Sequence, residues 1–238
     1  MPSARAAVSC SVFAAAVTAF FMAYPTPAAA GCSDSPGKGV NWDDCRKRNL
    51  ILKGANLEGA TLKGTDFTST DLRDTNLKGA DLTKANLLKS HLDNANLVGA
   101  NLTRALGFRT QFHRTDLSNS DFEKAEMQRA DFAGSTLHDV NFSKAELGRS
   151  NFDAASLKNV NFDYAILARA DFRGADLNSG INFSSAYLFL TRFDGQDLSN
   201  ASGLTQGQIE LACGDAETNL PAGLERPSSW PCDDDAVN

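Results

Sequence analysis

The chain has 238 residues, 42% of them hydrophobic and 22% charged, with 23 Lys and Arg against 29 Asp and Glu. That is enough apolar material for one or two domains and argues against disorder. A net charge of -6 keeps the protein soluble and is too small to identify a partner.

Residues 1–30 have the pattern of a secretory signal peptide: an early cation at Arg5, an apolar run from Ala6 to Ala23, a proline-containing polar end and small residues at Ala28 and Ala30. Cleavage after Ala30 is expected. The apolar run is marginal in length for the rival reading, a single membrane anchor. Loss of Arg5 leaves 22 cations against 29 anions, a net charge of 22 − 29 = −7. Cys10 leaves with the leader, and the remaining four cysteines form an even set, as exported proteins use for disulfides. Local pairing, Cys32 with Cys45 and Cys213 with Cys232, is the simplest of three connectivities. The "AAGC" ending at Cys32 also loosely resembles a lipoprotein cleavage site, and lipidation there would leave three cysteines.

Residues 31–49 are expected to form a disulfide-held cap with Trp42 as its apolar lid. From Leu52 a five-residue period takes over, as in "GANLEGATLKGTDFTSTDLRDTNLKGADLTKANL" at 54–87. Every fifth residue through Leu177 is Leu, Phe or Met except Gly107, 25 of 26 positions. On a helix each step of five turns about 500°, which spreads the leucines over every face. On a continuous strand an odd step throws successive leucines onto opposite faces. The period is satisfied only if the chain turns a corner once per five residues. Each central Leu or Phe then points inward with the small residue two before it, and the Asp or Asn just before the centre suits a corner.

From Phe112 the centres alternate Phe and Leu, with Met127 in one leucine place, and the alternation resumes at Phe183 after one extra residue near Gly180 and Ile181, which must bulge outward. A ten-residue coil is too tight to enclose side chains. Twenty residues give four sides, with Phe stacked on one opposite pair and Leu on the other.

These tandem A(D/N)Lxx units, spanning residues 50–202, resemble those of the pentapeptide repeat family. The resemblance implies an all-β, right-handed quadrilateral β-helix with coils stacked at about 4.8 Å, between seven and eight coils and roughly 36 Å long. Gly107 and the insertion at Gly180 and Ile181 depart from the pattern. After the repeats, residues 203–238 are expected to cap the rod. Thr205 and Gln208 fit a capping box, Leu204, Ile209, Leu211 and Ala212 are placed to face the last coil, and Gly214 is a plausible helix stop. The tail with Trp230 and Cys232 should fold back on that helix, and residues 233–238 should fray.

The inventory for catalysis is poor. His91, His113 and His138 fall at outward positions on differing sides, away from any cysteine or serine with an orienting partner, which predicts solvated surface histidines. Zinc-ligand spacing, a phosphate-cradling glycine motif and a nucleophile elbow are all missing. Asp66, Asp71, Asp81, Asp116, Asp121, Asp131 and Asp171 occupy the position the repeat itself demands. No inserted loop is long enough to build a cleft. No enzyme activity and no cofactor are expected.

The second residue after each centre carries charge unevenly. On the fourth side of successive coils it is Lys89, Arg109, Arg129, Arg149 and Arg169, and on the third side Lys84, Arg104, Lys124 and Lys144. Two basic ridges should therefore run along neighbouring corners. Pairing with Glu126, Glu146, Asp131 and Asp171 would make them ordinary surface, whereas unpaired they would dock a polyanion. The expected function is that of an exported, monomeric, non-catalytic module that binds a protein or an anionic envelope component, with no nucleic acid partner and no membrane span after leader removal. The alternative implied by the resemblance is a DNA mimic that inhibits DNA gyrase, which needs a cytoplasmic protein with strongly acidic faces.

Overall fold

The computed structural model describes residues 31–232. The leader with Cys10 and the tail at 233–238 lie outside the described residues. Before the inserted residue, parallel bridges join outward residues to those twenty positions later: Asn56 to Asn76, Asn76 to Asn96, Asn96 to Asp116, and Asp116 to Thr136. The same offset runs along all four sides, so the chain is a four-sided β-helix. We number the sides by their centres, the first beginning at Leu52, the second at Leu57, the third at Leu62 and the fourth at Phe67.

Within each repeat the centre and the small residue two before it are buried, and the corner is made by the two residues after the centre. The second of these has positive φ, whether Gly59 at 62° or Lys84 at 58°, as the third residue of a type II turn requires. The aspartates named above stand on the flat sides and not at the corners. They still serve the corners, since each accepts a hydrogen bond from the first corner N–H, as Asp66 does from Thr68 at 3.1 Å and Asp121 from Glu123 at 2.9 Å.

Each turn closes through a bond from the next small residue back to the centre. That bond is 2.9 Å at Ala80, Ala85 and Ala95 and lengthens to 3.2 Å at Thr115 and 3.3 Å at Thr75. Where Val140 and Val160 take the small-residue position no such bond forms. There the strand runs on to give β1 (Thr136–His138) and β2 (Ser156–Lys158). β3 (Asp176–Ser179) continues this sheet in the order β1-β2-β3. The extra residue lies here: the register shifts between Leu157 and Lys158, and Gly180 turns the corner at φ 70°. Phe183 rejoins its column 5.3 Å above Phe162, so the insertion bulges as expected.

Two phenylalanine columns fill the interior. On the first side Phe112, Phe132, Phe152, Phe172 and Phe193 stack at 4.6–5.3 Å, and on the third side Phe122, Phe142, Phe162 and Phe183 stack at 4.8–5.4 Å. The columns meet edge to face across the rod, for example Phe152 and Phe162 at 82°, an arrangement that suits the ring quadrupoles. Buried hydroxyls bond carbonyls of the coil before, as Thr110 does to Leu87 at 2.8 Å.

The ladder reaches past 50–202 at both ends, from Asn41 to Asn219. Trp42 is the lid, fully buried, and it also occupies the centre position of the third side. Lys47 takes the centre position on the fourth side. Its ammonium lies 3.7 Å from the Trp42 ring and donates to the Cys32 carbonyl at 2.8 Å, so a cation with an apolar stem closes the open end. Burial pushes its pKa down against the nearby charge of Asp34. Cys32 is bonded to Cys45 and Cys213 to Cys232. The Cys32 sulfur is therefore not available for a thioether-linked lipid.

At the other end α1 (Gln206–Leu211) replaces one side of the last coil. Thr205 and Gln208 form the capping box, and the Gln208 amide also donates to the carbonyls of Phe183 and Ala186, both at 2.9 Å. Ile209 and Ala212 are buried and Leu204 packs on the core, but Leu211 faces out. The helix ends in extended backbone at Ala212, before Gly214, so the glycine is not its stop. Gly214 instead leaves room for Trp230, whose ring a Cβ there would overlap. Trp230 donates to the Ala212 carbonyl at 2.7 Å and ties the tail to the helix. Among the described residues no helix is long and apolar enough to cross a membrane.

Candidate functional site

All nine ridge residues stand at corners with φ between 55° and 59°. Eight are exposed and Arg169 is half-buried. The twenty-residue offset stacks them coil on coil, as the sequence spacing predicts.

The structure separates the two ridges. On the third side Glu123 lies 2.8 Å from Lys124 and 3.9 Å from Lys144. The Lys124 hydrogen bond holds the Glu123 carboxyl below its usual range, with Lys144 and Arg104 adding to the effect. Two of this ridge's four cations thus share one carboxylate, whereas Lys84 and Arg104 have none within 4 Å among the described residues. On the fourth side Lys89, Arg109, Arg129 and Arg149 have no carboxylate within 4 Å among the described residues. Glu126, Glu146 and Asp131 do not form the pairs that their sequence spacing suggests. Asp131 bonds His113, Asp171 bonds Arg173, Glu146 accepts from Gln128, and Glu126 makes no ion pair within that distance.

The reason is the neighbouring column. The first corner residue on the fourth side is Leu88, Phe108, Gln128, Gly148, Ala168 and Phe189 in successive coils, none of them charged. Arg109 lies against the Phe108 ring at 5.3 Å. Gly148 and Ala168 leave a shallow depression of about 370 Å³ between Arg129, Arg149 and Arg169, closed at one end by Phe189. Beside it Tyr187 and Phe189 lie parallel, with centroids 6.2 Å apart and an interplanar angle of 11°. Both rings are exposed, as are Tyr164 and Ile166 nearby.

The histidines depart from expectation. His91 and His113 share the first side, and the His138 Nε2 lies 3.2 Å from Ser156 Oγ. That serine stands on a flat side of the coil. His113 is clamped, with Nδ1 2.7 Å from Asp93 and Nε2 2.7 Å from Asp131. Burial opposes its charge, but the Asp131 bond and the charges of Asp131 and Asp93 outweigh it and raise the pKa. His91 Nδ1 meets Gln111 Oε1 at 2.8 Å. On the same side Arg73 grips Asp71 and brings its pKa down to about 2. Among the described residues no group of three or more His, Cys, Asp or Glu is placed to hold a metal ion.

Comparison with known proteins agrees with this geometry. Two family models match, pentapeptide repeats over 51–87 and 85–123 and the pentapeptide repeat region over 108–183, together more than half of the chain. The chain belongs to the pentapeptide repeat family. Among solved structures it is similar to HetL, a pentapeptide repeat protein involved in heterocyst differentiation regulation from the cyanobacterium Nostoc sp. strain PCC 7120, at 20% identity and TM-score 0.39, covering 82% of this chain and 89% of that one. It is similar to QnrB1, a plasmid-mediated fluoroquinolone resistance protein, at 16% identity and TM-score 0.45, covering 76% and 91%. A pentapeptide repeat protein of the Arabidopsis thaliana thylakoid lumen matches at 26% identity and TM-score 0.19, covering 53% and 67%. No curated protein matches the chain in sequence.

Proposed function

We propose that this pentapeptide repeat protein is an exported, monomeric, non-catalytic rod whose fourth-side corner docks an anionic partner. The observation that carries the reading is the uncompensated cationic column from Lys89 to Arg149. The fold does not call for it. A left-handed corner costs an L-residue about 1 kcal/mol that glycine avoids. Like charges one coil apart add repulsion of about 1 kcal/mol per neighbour in water, less in salt. Glycine serves the same corner position at Gly59, Gly79 and Gly99 on the second side. Cations at this corner therefore make sense through something outside the fold. The two disulfides suit an oxidising compartment, in line with the leader pattern.

The test replaces Arg109, Arg129, Arg149 and Arg169 with Asn, which tolerates the left-handed corner and removes only charge and length. Wild-type protein should be retained on an anionic resin and on envelope fractions at low salt and released at high salt. The fourfold variant should elute early. Equal retention of the two proteins would remove the proposal.

A further inference from the structure

We propose that the depression between Arg129, Arg149 and Arg169 is a binding site for a uronic-acid polysaccharide, lying along the rod with its acidic groups on the arginines and a sugar face on Phe189 and Tyr187. This rests on the anionic-partner reading and names the chemical class of that partner.

Three features select it. The first is pitch. The arginines recur once per coil, about one strand spacing of 4.8 Å. A 1,4-linked uronate carries one carboxylate per ring, and in a two-fold chain every second carboxylate faces the same side, so same-side carboxylates recur at close to two coil spacings. An extended acidic peptide directs alternate side chains to one face, about 6.6 Å apart, and falls out of step within a few coils. The second is shape. Gly148 and Ala168 clear a shallow, open floor beside the arginine column, and from Gln128 to Phe189 it runs three coils, about 14 Å. That length takes two to three pyranose rings lying flat. The third is the end wall. Tyr187 and Phe189 are exposed, stacked rings, parallel to within 11°, and Phe189 borders the depression. A pyranose has an apolar C–H face that packs on such a surface while its carboxylate reaches the guanidinium, which offers paired donors in a planar fork. Neither the exposed rings nor the cleared floor is needed to attract a featureless polyanion. The oxidising compartment indicated by the disulfides also favours an extracellular polymer over a nucleic acid.

The experiment is calorimetric titration of the purified protein with a 1,4-linked hexauronate, and with a neutral hexasaccharide, polyaspartate and a single-stranded oligonucleotide. The hexauronate is expected to bind most tightly and the neutral sugar not at all. Arg149→Asn should weaken hexauronate binding by about tenfold or more. Phe189→Ala should weaken the hexauronate several-fold and leave polyaspartate unchanged. An unchanged melting temperature in Arg149→Asn separates loss of the site from loss of the fold. If polyaspartate or the oligonucleotide binds as tightly as the hexauronate, or if Phe189→Ala does not weaken hexauronate binding, the polysaccharide assignment is overturned and the anionic-partner reading stands. If no polyanion binds, both are overturned.

Discussion

The Met127 thioether occupies the space that Gly107 leaves open one coil away, so the two residues act as a single core position on the fourth side. A Cβ at Gly107 would overlap the Met127 sulfur. The neighbouring centres on this side are Leu87, Leu147 and Leu167. Gly107→Leu alone should therefore overpack the core and cost about 1–3 kcal/mol. Gly107→Leu combined with Met127→Leu should recover most of that loss. Denaturant titration of both variants checks the coupling.

Ala154 turns a first-side corner at φ 54° without a side chain that does anything there. Ala154→Gly should stabilise the protein by about 0.5–1 kcal/mol, because relief of left-handed strain exceeds the entropy glycine adds to the unfolded chain. A drop in melting temperature would contradict the corner geometry.

His113 supplies a pH dependence of known sign. Its folded pKa is raised above the usual 6.5, so its contribution is fully present below that value and is lost as pH rises through the raised value. The groups facing it are Asp93 and Asp131, with His91 3.9 Å from Asp93. The stability difference between wild type and His113→Gln should shrink as pH rises from 6 to 9, measured by denaturant midpoints. A difference that stays flat over that range would mean the clamp does not hold a charged ring.

The disulfides close loops at the two ends, with 13 and 19 residues of separation. Loops of that size give about 3 kcal/mol each. Stability of a stacked repeat is local, so reduction should speed amide hydrogen exchange first in residues 31–49 and 203–232, with the coils from Phe112 to Phe172 following later. Equal exchange with and without reductant would show that the end bonds carry no structural load.

The five-residue period made the coil, its four sides, its phenylalanine columns and the stacking of the ridges legible, because each depends on residue spacing alone. The ends were harder. Trp42 and Lys47 occupy centre positions but are neither Leu nor Phe, and the chain rejoins the ladder at Cys213 and Asn219 after a helix that breaks the count. Charge compensation was the least legible. Reading along the chain paired Lys124 with Glu126, whereas the partner is Glu123, which also reaches Lys144 one coil on. The clamp on His113 joins residues 20 and 18 positions apart, Asp93 and Asp131. Searching for opposite charges at offsets near twenty would have found the clamp and the Glu123–Lys144 contact.

The most direct test of the central claim is the salt dependence of binding to a generic polyanion such as heparin, with single Arg109→Asn, Arg129→Asn and Arg149→Asn variants beside the wild type. Counterion release makes the slope of log affinity against log salt report the number of ion pairs formed. If the fourth-side corner is the docking edge, each replacement lowers that slope by about one. Absence of binding, or slopes that do not change among the variants, would contradict the account.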